Sequence, residues 1–277
     1  MTAASIYRER PVDRRLAPWA ACLWVRRAPV GHGSDAAPAL VVPDGCVDLL
    51  WADDGLSVVG PDTGPRPARL GAGGVTAGLR LRPGAAALLL GDLPASALLD
   101  VRVPLTELWP QAAAEQLAEQ LAEQLAEQLA ERPADGWRAA ALLQRAVSGR
   151  LPGLATDPAA LDLVVPDPMV LRVVAALDRP RPPSVRALAA QIGLSERQLR
   201  RRMLAAVGYG PKTLQSVLRF QRVRAASREG AQVNWAALAN RAGYADQAHL
   251  AREVRRWSGR PPTGLSAGPA AGPEPVG

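Results

Sequence analysis

The sequence predicts an α+β chain: a β-rich N-terminal domain with short helices, followed by an all-α domain built from two helix-turn-helix units. Three observations carry that expectation. Residues 188–211 and 238–262 repeat one another almost step for step. Most of the positive charge of the 277-residue chain gathers in and around that duplicated stretch. The first eighty residues, by contrast, break into short apolar runs punctuated by Gly, Pro and Asp, which is how strands and tight turns read. The length suits two domains, each able to bury a core, and 48% hydrophobic with 21% charged residues is a globular composition.

In chain order, residues 1 to about 15 read as a polar lead-in. Candidate strands follow at Ala20–Arg26, Ala39–Val42, Val47–Trp51, Leu56–Val59 and Val75–Leu81, with turns at PDG, ADDG and GPDTGP. Several short strands with turn punctuation suggest a small barrel or sandwich. Short helices are expected at Ala85–Leu90, Pro94–Leu99 and Leu105–Trp109.

Residues 114–131 are low-complexity, AEQL four times and then AE, and every residue is a good helix former. A leucine every four residues does not hold one face, because four steps of about 100° overshoot a turn by about 40°. Leu117, Leu121, Leu125 and Leu129 therefore spiral, which argues against a long dimeric coiled coil and for a short repeat expanded within a tolerant helix. A dimerisation helix is the sharper alternative. Trp137–Val147 forms a second amphipathic helix and closes an N-terminal domain of residues 1–150.

Residues 151–166, rich in Pro and Asp, read as a linker to a helical domain at 167–265, whose first packing helix is Met169–Leu177. In the first repeat, LAAQIGLSERQLRRRMLAAVGYGP from Leu188 to Pro211, the residues Val185, Leu188, Ala189 and Ile192 make the i, i+3, i+4, i+7 face of a helix capped by Ser184. Gly193 can take the positive φ that ends it, Leu194 plugs the turn, and Ser195 can cap the second helix. There Leu199 and Met203 face inward. The second repeat, LANRAGYADQAHLAREVRRWSGRPP from Leu238 to Pro262, follows the same plan, with Gly243 at the turn, Tyr244 as plug, Asp246 or Ala245 near the helix start, and Leu250 with Val254 as the buried pair. Lys212–Arg228 is one connecting helix. The tail, 266–277, is too rich in Gly, Pro and Ala to order itself.

Charge separates the two halves. Between Arg179 and Pro262 there are 17 basic residues against four acidic ones, whereas the remainder holds 16 basic and 22 acidic. A basic C-terminal module beside a mildly acidic N-terminal one points to a polyanion partner at one end only. A second helix about 10–12 Å across fits the major groove of duplex DNA, where Arg can bond bidentate to guanine and Gln to adenine. Candidate base or phosphate contacts are thus Arg197, Arg200 and Arg201 in the first unit and Gln247, His249 and Arg252 in the second. Tyr209, Lys212 and Arg222 are candidate phosphate contacts.

LAAQIGLSERQLRRRM, the VGYGP that follows, RFQRVRAAS and AGYADQAHLAREVRRWSGRPP resemble the DNA-binding domain of AraC/XylS-type bacterial transcription regulators, over about 80 residues and with the motifs in order. The pattern departs from the family at Gly210 and Pro261, where Ser is usual, and at Met203, Leu250 and Val254, where Phe is frequent. VVPDGCVDLLW, VVGPDT, GLRLRPGAAALLLGDLPASALLD and VPLTELW resemble a regulatory domain often found ahead of such modules. By analogy with other regulators of the group, a cupin-like β-barrel is expected there. The resemblance implies a sequence-specific regulator that reads double-stranded DNA, and a cytoplasmic location is the default expectation. It also implies modulation by a small-molecule effector and, for an activator, RNA polymerase as a partner, with a homodimer open.

Other classes find little support in the residues. No 18-residue apolar run and no signal-peptide core is present, so neither a membrane span nor export is expected. Cys22, Cys46, His32 and His249 are too few and wrongly spaced for structural zinc, and no cofactor is expected. Cys46 beside Asp44 and Asp48, with His32, could be drawn as a Cys/His site. PDG reads more simply as a turn, so no catalytic residue is assigned. The alternative function is an enzyme or small-molecule binding protein tethered to DNA by its C-terminal module.

Overall fold

The computed structural model describes residues 5–28, 39–52, 54–68, 73–129, 136–151, 166–228 and 233–265. His32, most of the expected linker and the tail from 266 lie outside the described residues.

The N-terminal half carries the strands β1 (Ile6–Arg10), β2 (Ala20–Arg27), β3 (Ala39–Val41), β4 (Val47–Ala52), β5 (Gly55–Val59), β6 (Arg66–Ala68), β7 (Val75–Leu81) and β8 (Arg102–Pro104). Six of them form one antiparallel sheet in the order β1-β2-β7-β4-β5-β8, and β3 pairs with β6 in a separate ribbon. The expected strands at 20, 39, 47, 56 and 75 are all present, within a residue or so at their ends. Three further strands carry no sequence signal. The polar lead-in includes β1, whose residues alternate between exposed and half-buried because it is an edge strand that pairs only with β2. At three residues each, β6 and β8 are too short to show a period.

Alternation across the sheet sorts the central strand β7 into two faces. Val75, Ala77, Leu79 and Leu81 join Leu23, Val25, Val47 and Leu49 in an apolar core. The helix α3 (Trp137–Ser148) covers that core, with Ala140, Leu143 and Val147 fully buried. The opposite face carries Gly78 and Arg80. Trp24 lies flat over Gly78, so close that a side-chain carbon there would fall 2.2 Å from the indole. The short helix α1 (Ala87–Leu90) and the helix α2 (Gln111–Leu129) complete this half. Ala114, Leu117 and Leu121 of α2 are buried in the same core. Over one repeat the drift is only about 40°, so two successive leucines still reach one surface. The start of the AEQL helix is thus held by its own domain.

The C-terminal half holds six helices among the described residues: α4 (Pro168–Leu177), α5 (Val185–Gln191), α6 (Glu196–Val207), α7 (Pro211–Ala226), α8 (Trp235–Ala242) and α9 (Gln247–Ser258). One core joins them, with Leu177, Met203, Leu214, Phe220, Leu250 and Trp257 all nearly inaccessible. Val42, from the N-terminal half, belongs to that same core. The PDG turn comes to α7: a side-chain carbon on Gly45 would meet Leu214 at 2.9 Å, and Gln221 Nε2 donates to the Pro43 carbonyl. Likewise Gly84 sits against Val170 and Leu171 of α4.

Candidate DNA-binding interface

Both repeats fold by the same local rules. Ser184 accepts from the Ala187 amide at 3.1 Å and starts α5, and Asn234 does the same for α8 through the Ala237 amide at 3.0 Å. Each first helix ends at a glycine in the left-handed region, Gly193 at φ 69° and Gly243 at φ 79°. The next amide then turns back: Leu194 N donates to Ala189 O and Tyr244 N to Ala239 O, both at 2.9 Å. This is the six-to-one bond of a glycine-ended helix, and it satisfies a carbonyl that the helix leaves open.

The second helices start as sharply. Ser195 and Gln198 cap α6 reciprocally, each accepting from the other's backbone amide. Asp246 caps α9 by accepting from the His249 amide at 2.6 Å. Leu199, Met203 and Val207 of α6 and Leu250, Val254 and Trp257 of α9 face inward. Outward on α6 lie the candidates Arg197, Arg200 and Arg201, and on α9 Gln247 and Arg252, all of them exposed. Among the described residues none of these five forms an ion pair, so their charge and hydrogen-bonding capacity face solvent.

The remaining candidates lie differently. Lys212 is exposed in the first turn of α7, behind Pro211, and Gly210 supplies no side-chain cap to the amides there. His249 is half-buried, stacked edge-on against Tyr244 with centroids 5.2 Å apart, so part of its role is packing. Arg222 donates to the Asp178 carbonyl at 2.8 Å and to its carboxylate at 3.0 Å, tying α7 to the end of α4. Tyr209 is turned inward and 2% exposed, and its hydroxyl donates to the Asp62 carbonyl. In this arrangement the Tyr209 hydroxyl is not available to a phosphate. Burial of the aromatic ring stabilises this placement, which differs from the phosphate contact expected of Tyr209.

Sequence reasoning also misses the cross-tie between α7 and α9. Glu253 accepts from Arg219 at 2.9 Å and from Ser216 at 2.7 Å, and Ser216 in turn accepts from the Trp257 indole at 2.9 Å. Arg219 also lies over the Tyr244 ring. Glu253 points to α7, while its neighbour Arg252 points out. The offset of 34 residues between Arg219 and Glu253 gives no sequence signal.

In the N-terminal half, Arg80 is buried on the polar face of the sheet between Asp48 at 2.9 Å, Asp44 at 3.4 Å and Glu9 at 3.9 Å. Trp24 Nε1 donates to Asp48 at 3.1 Å. Burial, reinforced by Asp44, pushes the Cys46 thiol well above its usual range. A Cys46 nucleophile would need the opposite shift, and His32 lies outside the described residues. No group of three or more metal-ligating side chains gathers among the described residues. Nor is any described helix long and apolar enough to cross a membrane.

Residues 188–267 match a family described as a helix-turn-helix domain, and residues 8–104 match a domain of unknown function (DUF6597). No curated protein matches the chain. Among solved structures, a probable AraC family transcriptional regulator from Rhodopseudomonas palustris is 24% identical, covering 36% of this chain and 96% of its own, with a TM-score of 0.33. Unsaturated fatty acid-bound ToxT from Vibrio cholerae is 10% identical over 92% of this chain and 96% of its own, with a TM-score of 0.42. The transcriptional regulator CdpR from Pseudomonas aeruginosa is 20% identical over 73% of this chain and 48% of its own, with a TM-score of 0.33. At these TM-scores the three structures add nothing to the family match. The duplicated units and the match over residues 188–267 define a double helix-turn-helix domain in the C-terminal half of the chain.

Proposed function

We propose that the protein reads a specific DNA sequence with α6 and α9 in successive major grooves on one face of the duplex, about one helical turn or 34–36 Å apart. The observation that carries this is the shared layout of the two helices: a sealed apolar seam, a capped N-terminus, and Arg or Gln on the exposed turns. In this reading Arg197, Arg200 and Arg201 on α6 and Gln247 and Arg252 on α9 contact base edges or nearby phosphates, with His249 at the edge of the contact. Lys212, beside the uncapped amides that open α7, holds a phosphate. Selection of duplexes from a random library by the full chain tests the reading. Enrichment of a site with two half-sites supports it, and recovery without sequence preference contradicts it.

We further propose that the N-terminal domain responds to a small molecule and does not itself bind nucleic acid. The sheet face around Arg80, Asp44 and Asp48 supports this, because it places buried charge beside the PDG turn that touches α7. Such a site would bias the regulator through that turn.

A further inference from the structure

Residues 60–65 read Gly-Pro-Asp-Thr-Gly-Pro, one Gly-Pro pair written twice at a spacing of four. The two prolines lie beside the two helix-turn-helix units at equivalent places. A side-chain carbon on Gly208, which ends α6, would lie 2.7 Å from Pro61 Cγ. One on Gly259, which ends α9, would lie 3.5 Å from Pro65 Cγ. Gly208 and Gly259 correspond in the repeat, and both are left-handed, at φ 82° and 68°. Between the prolines, the Asp62 carbonyl accepts from the Tyr209 hydroxyl.

The loop is braced from behind. Asp100 stands at φ 59°, the one positive-φ residue other than glycine among the described residues. Such a backbone costs energy in most side chains and is tolerated best by Asn and Asp. Held there, the Asp100 amide donates to the Pro61 carbonyl at 3.2 Å, and its carboxylate accepts from the Thr63 amide at 2.7 Å and from the Thr63 hydroxyl. Gly60 N donates to Val101 O at 3.1 Å, and at Gly60 a side-chain carbon would fall 1.8 Å from the Leu98 carbonyl oxygen. Local strain kept by several bonds marks a conformation that the surroundings enforce.

We propose that the 60–65 loop is a positioning clasp that holds the ends of both reading helices and so sets the half-site spacing the protein accepts. α7 alone is a single 16-residue rod, about 24 Å long, and helices of that length curve at low cost. A second bridge, fixed to the sheet and touching both units, removes that freedom. It grips the C-terminal ends of α6 and α9, so the opening turns that carry Arg197 and Gln247 stay uncovered. The N-terminal sheet thereby reaches both reading heads at once. This inference rests on the DNA-reading proposal.

The test uses the full chain and Asp100→Gly, which relieves the left-handed strain and removes the carboxylate bonds to Thr63 while keeping the backbone bond to Pro61. Hydrogen exchange is read without DNA in segments 208–214 and 259–265. With the Asp100–Thr63 bonds gone, both should exchange faster by at least about tenfold, the response to roughly 1.4 kcal/mol of weakened docking. Pro65→Ala should affect the second segment alone. Circular dichroism melting confirms that each variant is folded. Duplexes selected by the wild type are then rebuilt with one base pair added or removed between half-sites. The wild type should lose about tenfold in affinity for each such change, and Asp100→Gly less than about threefold. Unchanged exchange in either segment of folded Asp100→Gly, or an unchanged spacing profile, overturns the clasp alone. A wild-type chain that selects no duplex overturns the DNA-reading proposal and the clasp with it.

Discussion

Glu253 of α9 accepts from Arg219 of α7 at 2.9 Å, with both side chains largely shielded from water. That pair, with Ser216 and the Trp257 indole, fixes α9 on α7. Removing one member leaves a shielded charge without its partner, which costs more than the pair itself contributes. Glu253→Ala should therefore destabilise the chain by about 3 kcal/mol, whereas Glu253→Gln, which still accepts from Ser216, should cost about 1 kcal/mol. Urea unfolding of the two variants against wild type checks the ordering.

Gly78→Ala should be among the most disruptive single substitutions in the N-terminal half. The new methyl has no place while Trp24 lies across the strand, and displacing Trp24 also breaks its bond to Asp48. Overpacking of this kind costs about 3 kcal/mol. A shift in tryptophan fluorescence together with a lowered unfolding midpoint is the expected result.

Much of this is legible in the sequence. The glycine ends, the Ser and Asp caps and the inward leucines of both repeats sit where spacing puts them, because each depends on neighbours within about four residues. Five strands are legible for the same reason. Arg219–Glu253, the brace at Asp100 and the burial of Tyr209 are not, since each joins segments from 34 to 147 residues apart. Tyr209 shows the limit best: its ring lies in the C-terminal core and its hydroxyl reaches the Asp62 carbonyl 147 residues away.

Tyr209→Phe should cost about 1 kcal/mol by removing one buried hydrogen bond and leave the salt dependence of DNA binding unchanged. A phosphate contact at this residue would instead show as a shallower salt slope.

Asp62 gives a pH signature. Burial above all raises its carboxyl to about 7, with Arg66 pulling it down and Asp44, Asp100 and Asp48 adding to the rise. The folded chain therefore keeps a proton that the unfolded chain releases near the ordinary aspartate value of about 4. The stability this proton contributes is complete below about pH 4 and is lost as pH rises towards 7. Unfolding midpoints of wild type and Asp62→Asn from pH 5 to 8 should converge on the acid side and separate towards neutrality, with wild type the less stable at pH 8.

Base reading by α6 and α9, with the DNA backbone held at the start of α7, is tested most directly by the salt dependence of binding. The full chain is titrated against a selected duplex and a scrambled one, with wild type beside Arg201→Ala, Gln247→Ala and Lys212→Ala. Arg201→Ala and Gln247→Ala should each weaken binding to the selected duplex by about 1–3 kcal/mol and leave the slope on scrambled DNA little changed. Lys212→Ala should weaken both duplexes alike and lower the slope by about one, because a single phosphate is no longer neutralised. Equal weakening of both duplexes by Arg201→Ala, or an altered base preference in Lys212→Ala, would contradict it.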